Sequence, residues 1–264
     1  MTDERTYPTG IGTSTTESIE LLGLDLASDV LGKVSFGELA YWLATKRRPT
    51  PGQLRVFEAA LVSLADHGYT PTAIAARMTY YSAPESVQGA IAAGLLGGGS
   101  RFLGVTEDTG QFLAGIVASL GDTQRYGEGD WDAVALDAVK TAKADGRKIP
   151  GLGHPVHKSG DPRTPVMMQI AREADTFGPH LALFEAIGRT HAQVLGRTLP
   201  LNGAGVAGAA LADAGLPVGL LRGFALLART AGLIGHLAEE QSDPVGPAIY
   251  AEVDRHARYV APDA

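Results

Sequence analysis

Residues 54–66, LRVFEAALVSLAD, decide the fold class. Their apolar side chains Leu54, Phe57, Leu61 and Leu64 recur at i, i+3, i+7 and i+10, the spacing that lines one face of an α-helix. Pro49 and Pro51 break the chain just before this stripe. Working outward, residues 35–45 (SFGELAYWLAT) read as a shorter helix, with Ser35 and Glu38 spaced for a capping box. Thr70 and Pro71 open a third, because proline suits a first turn whose N–H has no helical partner. Residues 84–96 form a fourth. Their wealth of Ala and Gly predicts close contact between helices, and GGGS at 97–100 ends the segment.

The same reading predicts helices over residues 111–120, 131–144, 164–176, 181–196, 203–214, 217–241 and 248–258. Runs in which β-branched and polar residues alternate are nearly absent, so the expected fold is all-α, with a dozen or so short helices. Residues 148–163 hold Pro150, Gly151, Gly153, Pro155, Gly160 and Pro162 and read as a loop. The polar segment 1–16 reads as flexible, and it has no apolar stretch of the kind a signal peptide carries.

A formal net charge of −7 argues against nucleic acid or an anionic membrane as the main partner, while leaving room for a local basic pocket. The absence of cysteine excludes disulfides, thiolate metal sites and a cysteine nucleophile. Uncharged stretches such as 86–100 fall short of the ~20 residues that a membrane span needs. The chain is expected to be soluble and cytoplasmic.

Three glycine-rich or histidine-bearing segments invite chemistry. NGAGVAG at 202–208 contains a formal G-x-G-x-x-G, but no core strand precedes it and Arg222 stands where the acidic ribose ligand belongs. Tight packing of a helix start explains it better than a dinucleotide. GGGS at 97–100 lacks the Gly-Lys-Ser/Thr of a phosphate loop. His154 and His157 are spaced for metal on a helix, yet Pro155 separates them and nothing nearby completes the set, so no metal is expected.

The loop GLGHPVHKSGDPR at 151–163 differs from these. Its glycines expose backbone N–H groups that can cradle phosphate, Lys158 adds a point charge, and Arg163 offers a fork matched to a carboxylate. His154 titrates near neutrality without help. The bland alternative is a solvated loop that ends in a helix start at Asp161-Pro162. His67 ends the 54–66 helix, where an imidazole often only complements the helix dipole. Arg229 and His236 share a face of an apolar helix, so that arginine requires a carboxylate or an anionic ligand.

Together these segments resemble the citrate synthase superfamily over roughly residues 35–259. The loop 151–163 is similar to the family's G-x-G-H-x-V-x-K/R-x-x-D-P-R signature. LVSLADHGYTPTAIAAR at 61–77 and FALLARTAGLIGHLAEEQ at 224–241 resemble its His-bearing and late-helix segments. LLGGGSRFLG at 95–104 and the short chain look closest to citryl-CoA lyases, including the C-terminal module of ATP-citrate lyase. The resemblance implies a helical homodimer, or a higher homo-oligomer. Each chain would have a large lobe (17–104 and 211–264) and a small lobe (105–210) that close around acyl-coenzyme A and an oxo acid.

It also implies roles. His154 would exchange a proton with the substrate's C3 oxygen; His67, Arg163 and Arg229 would bind that oxygen and the carboxylates. Gly151, Leu152, Gly153 and Lys158 would contact coenzyme A. Three departures stand out. Phe102 replaces the family histidine that polarises the thioester carbonyl. Asn202, aligned with the Asp of N-V-D-G, replaces the carboxylate that moves the α-carbon proton. Residues 245–248 (VGPA) replace a late R-P-R.

The expected reaction is cleavage of citryl-CoA to acetyl-CoA and oxaloacetate. Asn202 would hydrogen-bond the enolate, and water or His157 would supply the α-carbon proton. An acyl-CoA-binding protein with little catalysis, or a lyase or condensing enzyme for another hydroxyacyl-CoA, would suit the same residues.

Overall fold

The computed structural model describes residues 6–262. Eleven α-helices run through the described residues: α1 (Phe36–Thr45), α2 (Pro51–Ala65), α3 (Pro71–Ser82), α4 (Val87–Leu96), α5 (Val105–Leu120), α6 (Glu128–Ala144), α7 (Arg163–Glu173), α8 (Pro179–Leu195), α9 (Gly203–Asp213), α10 (Leu221–Ser242) and α11 (Gly246–His256). The sequence anticipates each of them to within a few residues, except that α5 starts earlier.

Helix α2 shows why the boundaries fall where they do. Thr50 accepts from Gln53 N while the Gln53 side chain accepts from Thr50 N, a complete capping box with Pro51 in the first turn. The buried stripe is Val56, Phe57, Ala60 and Leu64; Leu54 and Leu61 sit half-buried at its margins. At α1 only half of the expected box forms. Ser35 accepts from Glu38 N, but the Glu38 carboxylate turns to Arg48.

One continuous core joins Phe57, Phe184, Leu211 and Phe224, contributed by α2, α8, α9 and α10. Phe57 meets Phe224 edge-on with centroids 5.3 Å apart. A smaller cluster joins Ala73, Ala76, Ala90, Leu233 and Leu237 of α3, α4 and α10. There the expected close approach is literal, since a Cβ on Gly94 would lie 2.7 Å from Leu233.

Two features depart from the all-α expectation. Strands β1 (Gly12–Ser14), β2 (Ile19–Leu21) and β3 (Leu24–Asp25) form a small antiparallel meander. Leu22 and Gly23 both adopt positive φ between β2 and β3, as a tight hairpin demands. The supposedly flexible segment 1–16 therefore contains an edge strand at 12–14; residues 1–5 lie outside the described residues. The stretch Val218–Ser242 is, by length and a mean hydropathy of 1.4, apolar enough to cross a membrane. It packs against α2, α3, α4 and α5 and carries the buried Arg229, His236 and Glu240.

Candidate active site

The loop between α6 and α7 is fastened to the entry of α9 along its length. Gly153 N donates to Pro200 O at 2.7 Å, Asn202 N to Gly151 O at 2.9 Å, and Leu152 bridges Leu201. Gly151 has φ +79°, and a Cβ there would lie 2.7 Å from the Phe184 ring and 3.0 Å from Gly205 Cα, so only glycine fits. The glycines of 202–208 serve close approaches too. A Cβ on Gly205 would lie 2.6 Å from Gly151 Cα, and one on Gly208 would run into the Thr106 carbonyl. This is helix packing, as expected, and not a dinucleotide loop.

Asp161, which the sequence reading treated only as part of a helix start, is the anchor of the site. One oxygen of its buried carboxylate accepts from Arg163 N (3.1 Å) and Nε (3.0 Å). The other accepts from Arg163 Nη2 (2.8 Å) and Gly203 N (2.7 Å). Burial by itself would raise its pKa, but the Arg163 guanidinium and these N–H donors outweigh burial and hold it far below the usual carboxylate range. The signal was available in the sequence as an aspartate two residues before an arginine in a proline turn.

Two guanidiniums converge on the last turn of α2. Arg163 Nη1 donates to Ser63 O at 3.0 Å and Arg229 Nη2 to Leu64 O at 3.4 Å, satisfying carbonyls that the helix end leaves free. Arg229 is nearly fully buried, its Nε has no partner, and burial lowers its pKa, with Asp66 opposing and Arg163 reinforcing the shift. Arg163 keeps one N–H free on each terminal nitrogen.

Asp66, at the α2 C-cap, accepts from Gly68 N at 2.7 Å and faces His236 Nε2 at 2.9 Å. His236 Nδ1 accepts from Arg77 Nε at 3.1 Å, and the fully buried Arg77 also pairs with Glu239 and Glu240. This chain of charges holds the turn that presents His67. Glu240 also caps α11 through Val245 N and Gly246 N, at the place where the resemblance would have put arginines.

The structure brings together His67, His154 and His157. Their ring centroids lie 4.5 to 5.6 Å apart, and one nitrogen from each falls within 4.8 Å of the others. This spacing would suit a divalent metal, but the protonation of His154 opposes it. Its Nδ1 accepts from both Val156 N (3.0 Å) and His157 N (2.9 Å), so the proton of the neutral ring is assigned to Nε2. Metal-binding histidines show the reverse arrangement, with the second nitrogen donating. Burial first, then His157, lowers the pKa of His154; His67 and Arg163 add to this, and Asp161 opposes it from 3.9 Å.

These contacts bear on two expectations. With its proton on Nε2, a neutral His154 meets a substrate oxygen as a hydrogen-bond donor. The Asn202 amide clamps the loop to the helix: Oδ1 caps α9 by accepting from Gly205 N, and one Nδ2 hydrogen donates to Gly153 O, both at 2.8 Å. Lys158 Nζ donates to His154 O at 3.0 Å, bracing the same loop. Two cavities of about 420 and 690 Å³ lie elsewhere, along α5, α6 and α8, and contain none of these residues.

The family model of the citrate synthase C-terminal domain matches residues 23–249. The chain belongs to the citrate synthase family. A citryl-CoA lyase from Hydrogenobacter thermophilus superposes with a TM-score of 0.84 at 30% identity, covering 98% of this chain and 96% of that one. ATP citrate lyase from Methanothrix soehngenii, solved with citrate and coenzyme A, gives 0.79 at 20% identity over all of this chain and 43% of its own. A citrate synthase from Deinococcus radiodurans is 32% identical over 56% of this chain. A probable ATP-citrate synthase from Dictyostelium discoideum is 24% identical over 87%. The chain spans little more than a third of the length of these two curated relatives, 36% and 38%.

Proposed function

We propose that this chain cleaves a 3-hydroxy-3-carboxyacyl-coenzyme A, with citryl-CoA as the reference substrate, to acetyl-CoA and a 2-oxo acid such as oxaloacetate. The observation that carries the proposal is the meeting of His154, its Nδ1 held by two backbone N–H groups, with His67, Arg163 and Arg229 around the end of α2. A tertiary alkoxide flanked by carboxylates needs such a set. A neutral imidazole N–H holds the oxygen as it becomes a carbonyl, and guanidiniums hold the carboxylates. The exposed Lys158 and the half-buried backbone of Leu152 and Gly153 would receive the coenzyme A tail; Gly151 itself is buried. The likeness to the lyase from Hydrogenobacter, nearly equal in length, supports cleavage as the reaction.

The proposed assembly is a homodimer of two-lobed chains (17–104 with 211–264, and 105–210). The apolar residues Leu96, Val87 and Ile234, exposed on α4 and α10, support it.

The test is oxaloacetate formation from citryl-CoA, followed by coupled reduction, with His154→Ala as control. Turnover that the substitution abolishes supports the lyase. Tight acyl-CoA binding without turnover in either protein would identify a binding homologue instead.

A further inference from the structure

We propose that His157 is the catalytic acid–base of this site: it takes the hydroxyl proton of the substrate and returns it to the acyl α-carbon. The proposal rests on the lyase reading above and completes it. In the cleavage, the O–H bond breaks, the C2–C3 bonding pair passes to the thioester enolate, and the C3 oxygen becomes a carbonyl. The enolate carbon then takes up one proton. One base that first accepts and then gives back a proton balances the reaction, and no oxidant or further reactant is needed.

The argument is one of elimination within the cluster. His154 is closed as an acceptor by two backbone N–H groups on Nδ1. Asp161 already receives four hydrogen bonds. Asn202 has no basic atom, and its carbonyl caps α9. Among the described residues no other carboxylate lies within 4.0 Å of His154. Two imidazoles remain. His67 sits on the turn after α2, beside the arginines expected to hold the oxo acid. His157 sits on the glycine-rich loop expected to hold the thioester, its ring 4.5 Å from His154 and 5.4 Å from His67. It is thus next to the donor proposed to hold the C3 oxygen, and on the loop proposed to carry the thioester. Its side chain makes no hydrogen bond to another described residue under ordinary geometric limits, which leaves both ring nitrogens for substrate. The titratable groups that face it are His67 from the α2–α3 turn and His154 from its own loop, with Asp161 and Arg163 acting on His154 in turn.

The experiment measures citryl-CoA cleavage and, separately, deuterium exchange into the methyl group of acetyl-CoA in D2O with oxaloacetate present. His157→Gln is expected to lower kcat and the exchange rate together by about 10²-fold or more, with little change in KM. His157→Glu, which restores a titratable group, is expected to recover part of both and to move the acid limb of the pH–kcat profile downward. A wild type that cleaves citryl-CoA alongside an equally active His157→Gln overturns the assignment and leaves the lyase reading intact. Loss in both variants with unchanged thermal midpoints also overturns it, because the position then matters for shape and not for its proton. A wild type that cleaves no citryl-CoA removes both.

Discussion

The carboxylate of Asp161 grips the guanidinium of Arg163 through two nearly parallel hydrogen bonds, 3.0 Å to Nε and 2.8 Å to Nη2, while its second oxygen also holds Gly203 N. This one contact ties the histidine loop, the start of α7 and the start of α9 together. Asp161→Asn replaces an acceptor by a donor that faces a half-buried guanidinium and a buried N–H. The expected loss is about 3 kcal/mol of unfolding free energy, since breaking one side of a buried pair strands the other. Urea unfolding measures it; a loss below about 0.5 kcal/mol, typical of a surface substitution, would contradict the anchoring role.

His154 gives the stability a pH dependence of defined sign. Its folded pKa lies below the ordinary 6.5, so the native state resists the proton that the unfolded chain accepts. This contribution is fully present above pH 6.5 and is lost as the pH falls through the lower folded value. Asp161 acts in the same direction further down, its contribution being present above its ordinary 3.8 and lost in stronger acid. Thermal midpoints between pH 7.5 and 5 should fall for the wild type and fall less for His154→Gln. Identical slopes would refute the assignment.

Arg77 tests the network behind His67. Arg77→Met leaves the buried Glu240 with only its two backbone donors and removes the bond that orients His236 toward Asp66. The expected cost is about 3 kcal/mol, and combining it with Glu240→Gln should recover part of that loss, because the stranded charge is then gone. A double-mutant cycle reads the coupling directly. Strictly additive losses would show that the two side chains act independently.

The contrast between what the sequence showed and what it hid follows from range. Helix α2 was legible because Thr50, Pro51 and the Phe57–Leu64 stripe act within one segment. The histidine loop was legible because proline and glycine exclude helix locally. The Arg77–Glu240 pair, 163 residues apart in sequence, leaves no local pattern. The tautomer of His154 depends on how the backbone at 156 and 157 curls back over its ring, which composition does not encode. The β-meander escaped notice because strands of two or three residues are too short to show alternation, and because Leu22 takes a positive φ that residue preference argues against.

Assembly is a separate prediction. Leu96 is 86% exposed and Ile234 53% exposed. If these faces pair two copies, sedimentation equilibrium should return twice the 27.4 kDa chain mass, and Ile234→Asp should shift the population toward single chains. A wild type of single-chain mass at micromolar concentration would count against the dimer.

The last prediction concerns the missing carboxylate. With Asn202 fixed as the α9 cap, residues 202–205 (Asn-Gly-Ala-Gly) meet the family's N-V-D-G without a gap when asparagine lies on asparagine and Gly205 on glycine. The position that carries the acid is then Ala204, two residues beyond the one the sequence reading chose. Asn202→Asp should therefore fail to create a base. It removes the Nδ2 donor to Gly153 O and sets a charge against that carbonyl, so the protein should lose about 1–3 kcal/mol with no gain in α-proton exchange. Ala204→Asp places a carboxylate in the first turn of α9, where the helix dipole favours it, and should raise exchange by 10-fold or more. In that background His157→Gln should cost less than it does in the wild type, because a second base has been supplied. Deuterium incorporation into acetyl-CoA measures all five proteins, and a gain from Asn202→Asp with none from Ala204→Asp would reverse the register.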